Sequence, residues 1–165
     1  MAAAEQTPQG TARKGGDALD ASLAEHIVGY LVAIATVQTR RVFQDRIGTP
    51  YELRPVEFTL LMLLLANPGA SPKQLARALR MPAPNVTVLV DRMAGRGLVE
   101  RRRSSTDGRA LEVLLTADGE AMARRIHSIS LTMESELLQR FTPGERVMLR
   151  ELLLRLGQPE AAGAT

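Results

Sequence analysis

The sequence predicts a mainly α-helical protein that carries one small β-hairpin. In most of the chain, apolar residues recur every three or four positions, which is typical of amphipathic helices. Two short β-prone runs flank the pair Asp107-Gly108 and predict a hairpin. Several Ser and Thr residues stand three positions before Glu or Gln, a capping-box pattern that predicts where helices begin.

Composition sets the class of protein. The 165 residues are 45% hydrophobic and 24% charged, which indicates one ordinary globular domain. Cysteine is absent, so disulfides and thiolate metal sites are excluded. The longest mainly apolar stretch, Phe58 to Ala66, is far shorter than the roughly 20 residues of a membrane span, and no secretion signal is evident. We therefore expect a soluble, cytoplasmic protein without membrane contact.

The N-terminal part is expected to contain an arm and a long helix. Residues 1–19 lack apolar periodicity and are predicted to be disordered. The capping-box pattern Ser22-x-x-Glu25 predicts a helix start, and this helix should end near Arg46, before Gly48-Thr49-Pro50.

Three shorter helices should follow. The second begins at Pro55 and ends near Ala66; it is apolar on nearly every side and should be central and buried. The third starts with Ser71-Pro72-Lys73-Gln74, another capping box. The fourth covers about Pro84 to Arg96, and Gly97 is suited to close it.

The C-terminal part should contain the hairpin and two more helices. The hairpin strands are predicted in 98–103 and 111–115. Thr116 should cap one long fifth helix whose apolar face extends to Leu137, and Thr142-Pro143-Gly144-Glu145 should open the last helix.

Basic charge is concentrated in one region. The window from Ser71 to Glu112 holds nine basic and four acidic side chains, a net charge of +5, against +3 for the whole chain. Such a concentration is typical of a surface that binds a phosphate backbone. A basic face that is merely solvated remains an alternative on charge alone.

The element order in this region is that of a winged helix-turn-helix. Two short helices with a tight connector precede a basic hairpin. One helix of such a pair fits the major groove of DNA, while the preceding helix crosses the backbone, where the N–H groups near Ser71 can meet a phosphate. A thin hairpin tip can enter the minor groove.

The stretch from Leu79 to Thr116 resembles the DNA-binding core of the MarR family of bacterial regulators, and weaker similarity extends over residues 22–156. The matching segments are Pro84-Asn85-Val86-Thr87, Leu89-Val90-Asp91-Arg92, Arg96-Gly97-Leu98-Val99-Glu100-Arg101, Asp107-Gly108-Arg109-Ala110 and Leu115-Thr116.

This resemblance implies roles for individual residues. Asn85 and Thr87 would face the major groove, Arg109 would probe the minor groove, and Asp107 would orient an arginine. Val88 stands where the family often has a polar residue and would instead contact a thymine methyl. The full expected DNA-binding set is Ser71, Pro84, Asn85, Thr87, Val88, Arg92, Arg101, Arg103, Asp107 and Arg109.

Structural explanations compete for four of these residues. Asp107 suits a tight turn by itself, and Asn85 is an ordinary helix-capping residue. Arg101 and Arg103, expected to contact phosphates, would also suit a solvated strand edge that discourages aggregation.

Enzyme and metal functions are not indicated, and no cofactor is expected. Gly95-x-Gly97 lacks the third glycine and the preceding strand of a nucleotide-binding loop. His26 and His127 lie on different predicted elements without the spacing of zinc ligands, and no catalytic motif is present.

The predicted organisation has five parts. They are a disordered arm in 1–19, an N-terminal dimerisation helix in 20–48, the winged helix-turn-helix lobe in 49–116, C-terminal dimerisation helices in 117–157, and a disordered tail in 158–165. The apolar stripes of the terminal helices predict an isologous homodimer.

We therefore expect a sequence-specific DNA-binding regulator, a homodimeric repressor of a near-palindromic operator. The alternative is a non-enzymatic architectural DNA-binding or protein-interaction module with the same fold. Release by a small aromatic or carboxylate effector is expected near Arg41, which continues an apolar helix face, with His26 and Met62 lining the site; alternatively, Arg41 simply extends into water.

Overall fold

The computed structural model describes residues 19–103 and 111–158 and confirms a mainly helical fold with one small hairpin. None of its helices has the length and apolar character needed to cross a bilayer within these ranges. The elements in chain order are α1 Val28–Phe43, a π-helical turn Gln44–Gly48, α2 Pro55–Ala66, α3 Pro72–Leu79, α4 Ala83–Gly95, β1 Val99–Arg103, β2 Leu111–Leu115, α5 Ala117–Ser130, α6 Ser135–Leu138 and α7 Pro143–Leu156.

The described residues fall into two units that divide within α1. The first ends at Ala35 and the second begins at Thr36. In the first unit, apolar side chains such as Leu23, Ile27 and Leu31 are exposed to solvent. The hydrophobic core belongs to the second unit.

Helix α2 forms the centre of that core, as its apolar composition predicts. Leu60, Leu61 and Leu64 are essentially inaccessible to solvent. A further set of buried side chains packs with them and comes from every surrounding element: Phe43, Ile47, Leu53, Leu75, Val86, Leu89, Val90, Met93, Leu98, Val99, Val113, Ala123 and Ile126. This burial holds α3, α4 and the hairpin in one lobe, since apolar contact is the main driving force for packing.

The predicted helix caps at α3, α5 and α7 are confirmed. Ser71 Oγ accepts a hydrogen bond from the Gln74 amide, and the Gln74 side chain accepts one from the Ser71 amide. Thr142 and Glu145 make the same reciprocal pair at α7. Such caps satisfy N–H groups that the helix itself leaves unpaired, and they can therefore be read from local sequence.

The hairpin is antiparallel, with Val99 opposite Leu115 and Arg103 opposite Leu111. The amide of Val113 also donates to the Ala70 carbonyl at 3.0 Å, which joins the loop before α3 to the hairpin. The base of the hairpin is therefore fixed to the helical lobe.

A close approach between two segments explains the glycine at position 119. A Cβ atom there would lie 1.8 Å from the Leu98 carbonyl oxygen. The Thr116 amide donates to the same oxygen, and the Thr116 hydroxyl donates to the Gly97 carbonyl. The start of α5 thus lies directly on the segment between α4 and β1.

Two predicted helix boundaries were wrong. The first helix begins at Val28 and not at Ser22, because the Asp20 side chain accepts from the Ser22 amide and residues 22–26 form turns. Asp side chains that bond nearby amides compete with helix formation in this way.

The fifth helix is also not continuous to Leu137, since α5 ends at Ser130 and the short α6 follows after a turn. The hydroxyls of Ser128 and Ser130 donate to main-chain carbonyls one turn earlier, a local competition that loosens a helix.

Candidate nucleic-acid interface

The connector between α3 and α4 is tight. Arg80 takes a left-handed conformation, with φ of 52°, and its amide donates to carbonyls at the end of α3. The Met81 amide donates to the Ala76 carbonyl at 3.0 Å. Two residues later α4 begins, so the two helices form the predicted helix-turn-helix.

Helix α4 has one buried face and one exposed face. Val86, Leu89 and Val90 are buried, whereas Asn85 and Val88 are exposed, Val88 by 64%. An exposed valine on a helix is consistent with a face that is covered in a complex. Thr87 and Pro84, also predicted to contact DNA, are exposed as well.

The capping alternative for Asn85 was wrong. The N-cap of α4 is Pro82, whose carbonyl accepts from the Asn85 amide at 3.0 Å. Within the described residues, the Asn85 side chain has no hydrogen-bond partner, so it is free to meet a ligand. The Thr87 hydroxyl instead donates to the Ala83 carbonyl at 3.2 Å.

Arg101 connects the hairpin to α4. Its NH1 lies 2.5 Å from Asp91 Oδ1, and its NH2 donates to the main-chain oxygen of Thr87 at 3.1 Å. Arg101 is an exposed residue of the strand, as the alternative of a solvated strand edge predicts, but its side chain is 32% exposed and has partners on α4. Its predicted phosphate contact remains a prediction.

Arg92 pairs with a carboxylate that sequence reasoning missed. Its Nε lies 2.9 Å from Oε1 of Glu57, which is only 3% exposed, although the geometry is that of an ion pair and not of a hydrogen bond. The second oxygen of Glu57 accepts from the Arg54 amide at 2.7 Å. Buried carboxylates are costly unless paired, so this contact fixes α4 against the start of α2.

Arg96, at the end of α4, makes a further contact within the lobe, to the loop before α2. Its guanidinium donates to the carbonyls of Tyr51 and Glu52, at 3.1 Å and 2.9 Å. Glu52 is one of two described non-glycine residues with positive φ, so Arg96 supports a strained loop.

Helix α3 presents basic side chains that the prediction did not assign. Lys73, Arg77 and Arg80 are exposed and form no ion pair with any described residue. Their spacing of four and three positions puts them along one side of the helix end. That spacing was visible in the sequence and could have identified them as candidates for contact with a phosphate backbone.

The remaining residues of the predicted DNA-binding set lie in different surroundings. Arg103 lies at the end of β1 and is exposed, and Ser71 is half-buried with its hydroxyl engaged in the cap. Asp107 and Arg109 lie outside the described residues, so their roles stay predictions.

The three residues predicted to bind an effector are found in two units. His26 belongs to the first unit and is exposed; Arg41 and Met62 belong to the second. Met62 is half-buried against the core, and the Arg41 side chain is exposed. Among the described residues, no group of three or more His, Asp or Glu side chains could hold a metal ion.

The arrangement as a whole combines three features. A helix with an exposed Asn, Thr and Val face follows a helix with unpaired cations, and a hairpin rich in arginine lies beside both. Phosphates can be neutralised by the cations, while amide and methyl groups can meet base edges in a groove.

Comparisons with known proteins agree with this geometry. The model of the MarR family matches residues 51–110. An HTH-type transcriptional repressor of Mycobacterium tuberculosis is 29% identical over 109 residues, which cover 66% of this chain and 78% of that protein. The regulator BilQ of Clostridium symbiosum is 30% identical over 96 residues, covering 58% of this chain and 67% of BilQ.

Among solved structures, the transcriptional repressor CouR bound to a 23-mer DNA duplex is similar, with a TM-score of 0.75 and 30% identity. The match covers 86% of this chain and 100% of CouR. All three relatives are named as transcriptional regulators or repressors and none as an enzyme.

Proposed function

Because this chain belongs to the MarR family of transcription regulators, we propose that it is a homodimeric repressor that binds a near-palindromic DNA operator and is released by a small molecule. The DNA-bound structure of the similar repressor CouR supports duplex DNA as the partner. Repression requires no catalysis, because occupancy of a promoter is sufficient.

The observation that carries the DNA-binding proposal is the exposed face of α4. Asn85 and Val88 are accessible without a partner in the described part of the chain, next to the unpaired cations of α3. Asn can pair bidentately with adenine, and a valine methyl can pack on thymine. Lys73 and Arg77 would supply the sequence-independent contacts to phosphates.

Exposed apolar side chains support the homodimer. On α7, Leu152, Leu153 and Leu156 are each about half exposed, and Leu149 is half-buried. Val147 and Met148 on the same helix are also exposed. Apolar surface of this extent on a helix is typical of an interface. An isologous pair would present two α4 helices to half-sites about one DNA turn apart.

The proposal of release by a small molecule depends on which reactive or charged side chains the sequence contains. No cysteine is present, so a thiol switch is excluded. The exposed guanidinium of Arg41 offers a cation for a carboxylate or aromatic ligand, with Met62 of the same unit as a further contact.

Selection of bound duplexes from a random DNA pool tests the operator. We expect a near-palindromic consensus that is preferred over unselected DNA by about 10³-fold or more at physiological salt. Uniform binding without enrichment would instead favour the architectural alternative. Replacing Asn85 with Ala should relax the preference at particular base pairs.

The effector proposal needs a separate experiment. Small aromatic acids that raise the melting temperature are tested for release of the selected duplex, with wild type and Arg41→Ala compared. A ligand that shifts a mostly bound population to a mostly free one must favour the free form by roughly 5 kcal/mol. Equal responses of both proteins would remove Arg41 from the site, and reversible release by peroxide would contradict the exclusion of redox control.

A further inference from the structure

We propose that Arg101 is a positioning residue that holds the base-reading turn of α4 by its pair with Asp91, and that it is not a phosphate contact. This inference rests on the proposed DNA binding and assigns a role within it. It also revises the expectation that Arg101 and Arg103, alternate residues of one strand, act alike.

The geometry of the Arg101 guanidinium supports this role. One nitrogen lies against the Asp91 carboxylate and the other donates to the Thr87 main-chain oxygen at 3.1 Å. Both acceptors belong to α4, whereas Arg101 belongs to β1. A planar guanidinium with two acceptors has a defined orientation, so the contact fixes the helix relative to the strand.

The position of the contact along α4 is equally informative. Thr87 lies in the exposed turn that includes Asn85 and Val88, the residues proposed to meet base edges. Arg101 and Thr87 also line a cavity of about 150 Å³ with Pro72, Val90 and Leu111, so the space between helix and hairpin is not filled by packing alone. The polar contacts of Arg101 therefore add to the apolar packing of the core in holding helix and hairpin together.

The presence of Asp91 is otherwise unfavourable for DNA binding. Its carboxylate is 56% exposed and adds a negative charge to the helix that would approach phosphates. A purely electrostatic view predicts that removing it improves binding. A positioning role predicts the opposite, because one of the two acceptors of the Arg101 guanidinium would lose its charge and hold it less strongly.

The chain offers matched controls on the same strand. Glu100 pairs with Arg102, two positions along β1, so this pair stays within the strand and does not reach α4. Arg103 is exposed and has no ion pair with a described residue. Glu100→Gln therefore removes the same charge as Asp91→Asn but breaks no contact between β1 and α4. Arg103→Gln removes the same charge as Arg101→Gln.

The experiment measures affinity for the duplex that wild type selects from a random pool, over a range of salt concentrations. We expect Asp91→Asn and Arg101→Gln each to weaken binding about fivefold, with the double variant no weaker than either single variant. Glu100→Gln should bind as wild type or slightly tighter. Arg103→Gln should lower the slope of log affinity against log salt by about 0.9, while Arg101→Gln leaves that slope unchanged.

Three results would overturn the proposal: tighter binding by Asp91→Asn, additive losses in the double variant, or a reduced salt slope for Arg101→Gln. If wild type selects no duplex, the proposed function fails, but the positioning role is still tested by amide hydrogen exchange in α4. Exchange in the turn around Thr87 should be faster in Asp91→Asn than in Glu100→Gln, and equal rates would reject it.

Discussion

The arginines around α4 differ in function according to their partners. Arg92 forms an ion pair within the lobe, and Arg96 and Arg101 donate hydrogen bonds there. Arg77 and Arg80, in contrast, have no ion pair with the described residues. A single residue type therefore serves both internal contacts and the proposed DNA surface. The guanidinium suits both uses, because its planar donors match carboxylates, carbonyls and phosphates alike.

The arginine at position 109 gives a residue-scale prediction. Arg109→Ala should weaken binding to the selected duplex by about 1–3 kcal/mol, because a minor-groove contact would be lost. Fluorescence anisotropy at matched salt measures the change, and circular dichroism checks that the fold is intact. Unchanged affinity would remove the hairpin tip from the mechanism.

Gly119 gives a second residue-scale prediction. Gly119→Ala should lower the free energy of unfolding by about 3 kcal/mol, because its Cβ would overlap the Leu98 carbonyl and two backbone segments would have to separate. Urea denaturation measures this. Gly144, in the first turn of α7, is the control: a Cβ there meets nothing within 4 Å. Gly144→Ala should be neutral or raise stability by up to about 1 kcal/mol, and equal losses in both variants would contradict the steric argument.

At the scale of elements, the proposed DNA binding gives α3 and α4 different roles. The sequence resemblance directs attention to α4, yet Lys73, Arg77 and Arg80, which have no ion pair with a described residue, lie on α3 and its C-cap. A helix that crosses the phosphate backbone contributes affinity without base specificity. The two helices should therefore respond differently to mutation.

Lys73→Ala and Arg77→Ala test this division. Each should weaken binding to selected and unselected duplexes by the same factor and lower the salt slope by about 0.9, because one phosphate contact is lost. Arg150, exposed on α7, is the matched control and should leave the slope unchanged when replaced by Ala. A loss confined to the selected duplex would argue against a backbone role for α3.

The capping box of α7 predicts a pH dependence. Hydrogen bonds from the Thr142 amide and hydroxyl hold the pKa of the Glu145 carboxyl below its usual range. A depressed pKa in the folded state means that the cap stabilises α7 above the ordinary glutamate pKa and that this contribution is lost as pH falls through the lowered value.

Glu145→Gln should therefore reduce the difference in melting temperature between neutral and acidic solution, with Glu151→Gln as a control on the same helix. Glu151 lies 3.9 Å from Arg155 in an exposed pair and has no capping role. Identical pH profiles of wild type and Glu145→Gln would contradict the assignment of the cap.

At the scale of the whole molecule, many large apolar side chains lie outside the hydrophobic core and are exposed to solvent. Exposed leucines on α7 and exposed apolar residues of the first unit have no covering element among the described residues of their own units. Water contact of this surface is unfavourable, and association with a second copy would remove it.

The dimer prediction follows from that surface. Wild type should be a dimer in light scattering at micromolar concentration, and Leu152→Glu combined with Leu153→Glu should produce monomers, because charged side chains would enter an apolar interface. The monomeric variant should bind a half-site only weakly. The control is Arg150→Glu, a charge change at an exposed polar position of α7. A monomeric wild type would reject the proposed symmetric operator.

Local sequence was sufficient for most of the fold. The bounds of α2 and the caps at Ser71, Thr116 and Thr142 depend on groups within a few residues of each other. These features are indicated by short-range hydrogen bonds, turn residues and the periodic spacing of apolar residues, and their prediction is confirmed. The errors at Ser22 and after Ser130 were local too, because side chains competed with the helix for main-chain groups.

By itself, the sequence determined the order of elements, the basic region and the resemblance to a regulator family, since these follow from composition and near neighbours. Only the tertiary structure decided which arginines are used internally: the partners of Arg96 are 44 and 45 positions away, and that of Arg101 is 10 positions away on another element. The physical reason is that ion pairs and hydrogen bonds depend on distance in space. A count of charges along the chain does not show which groups the fold brings close together.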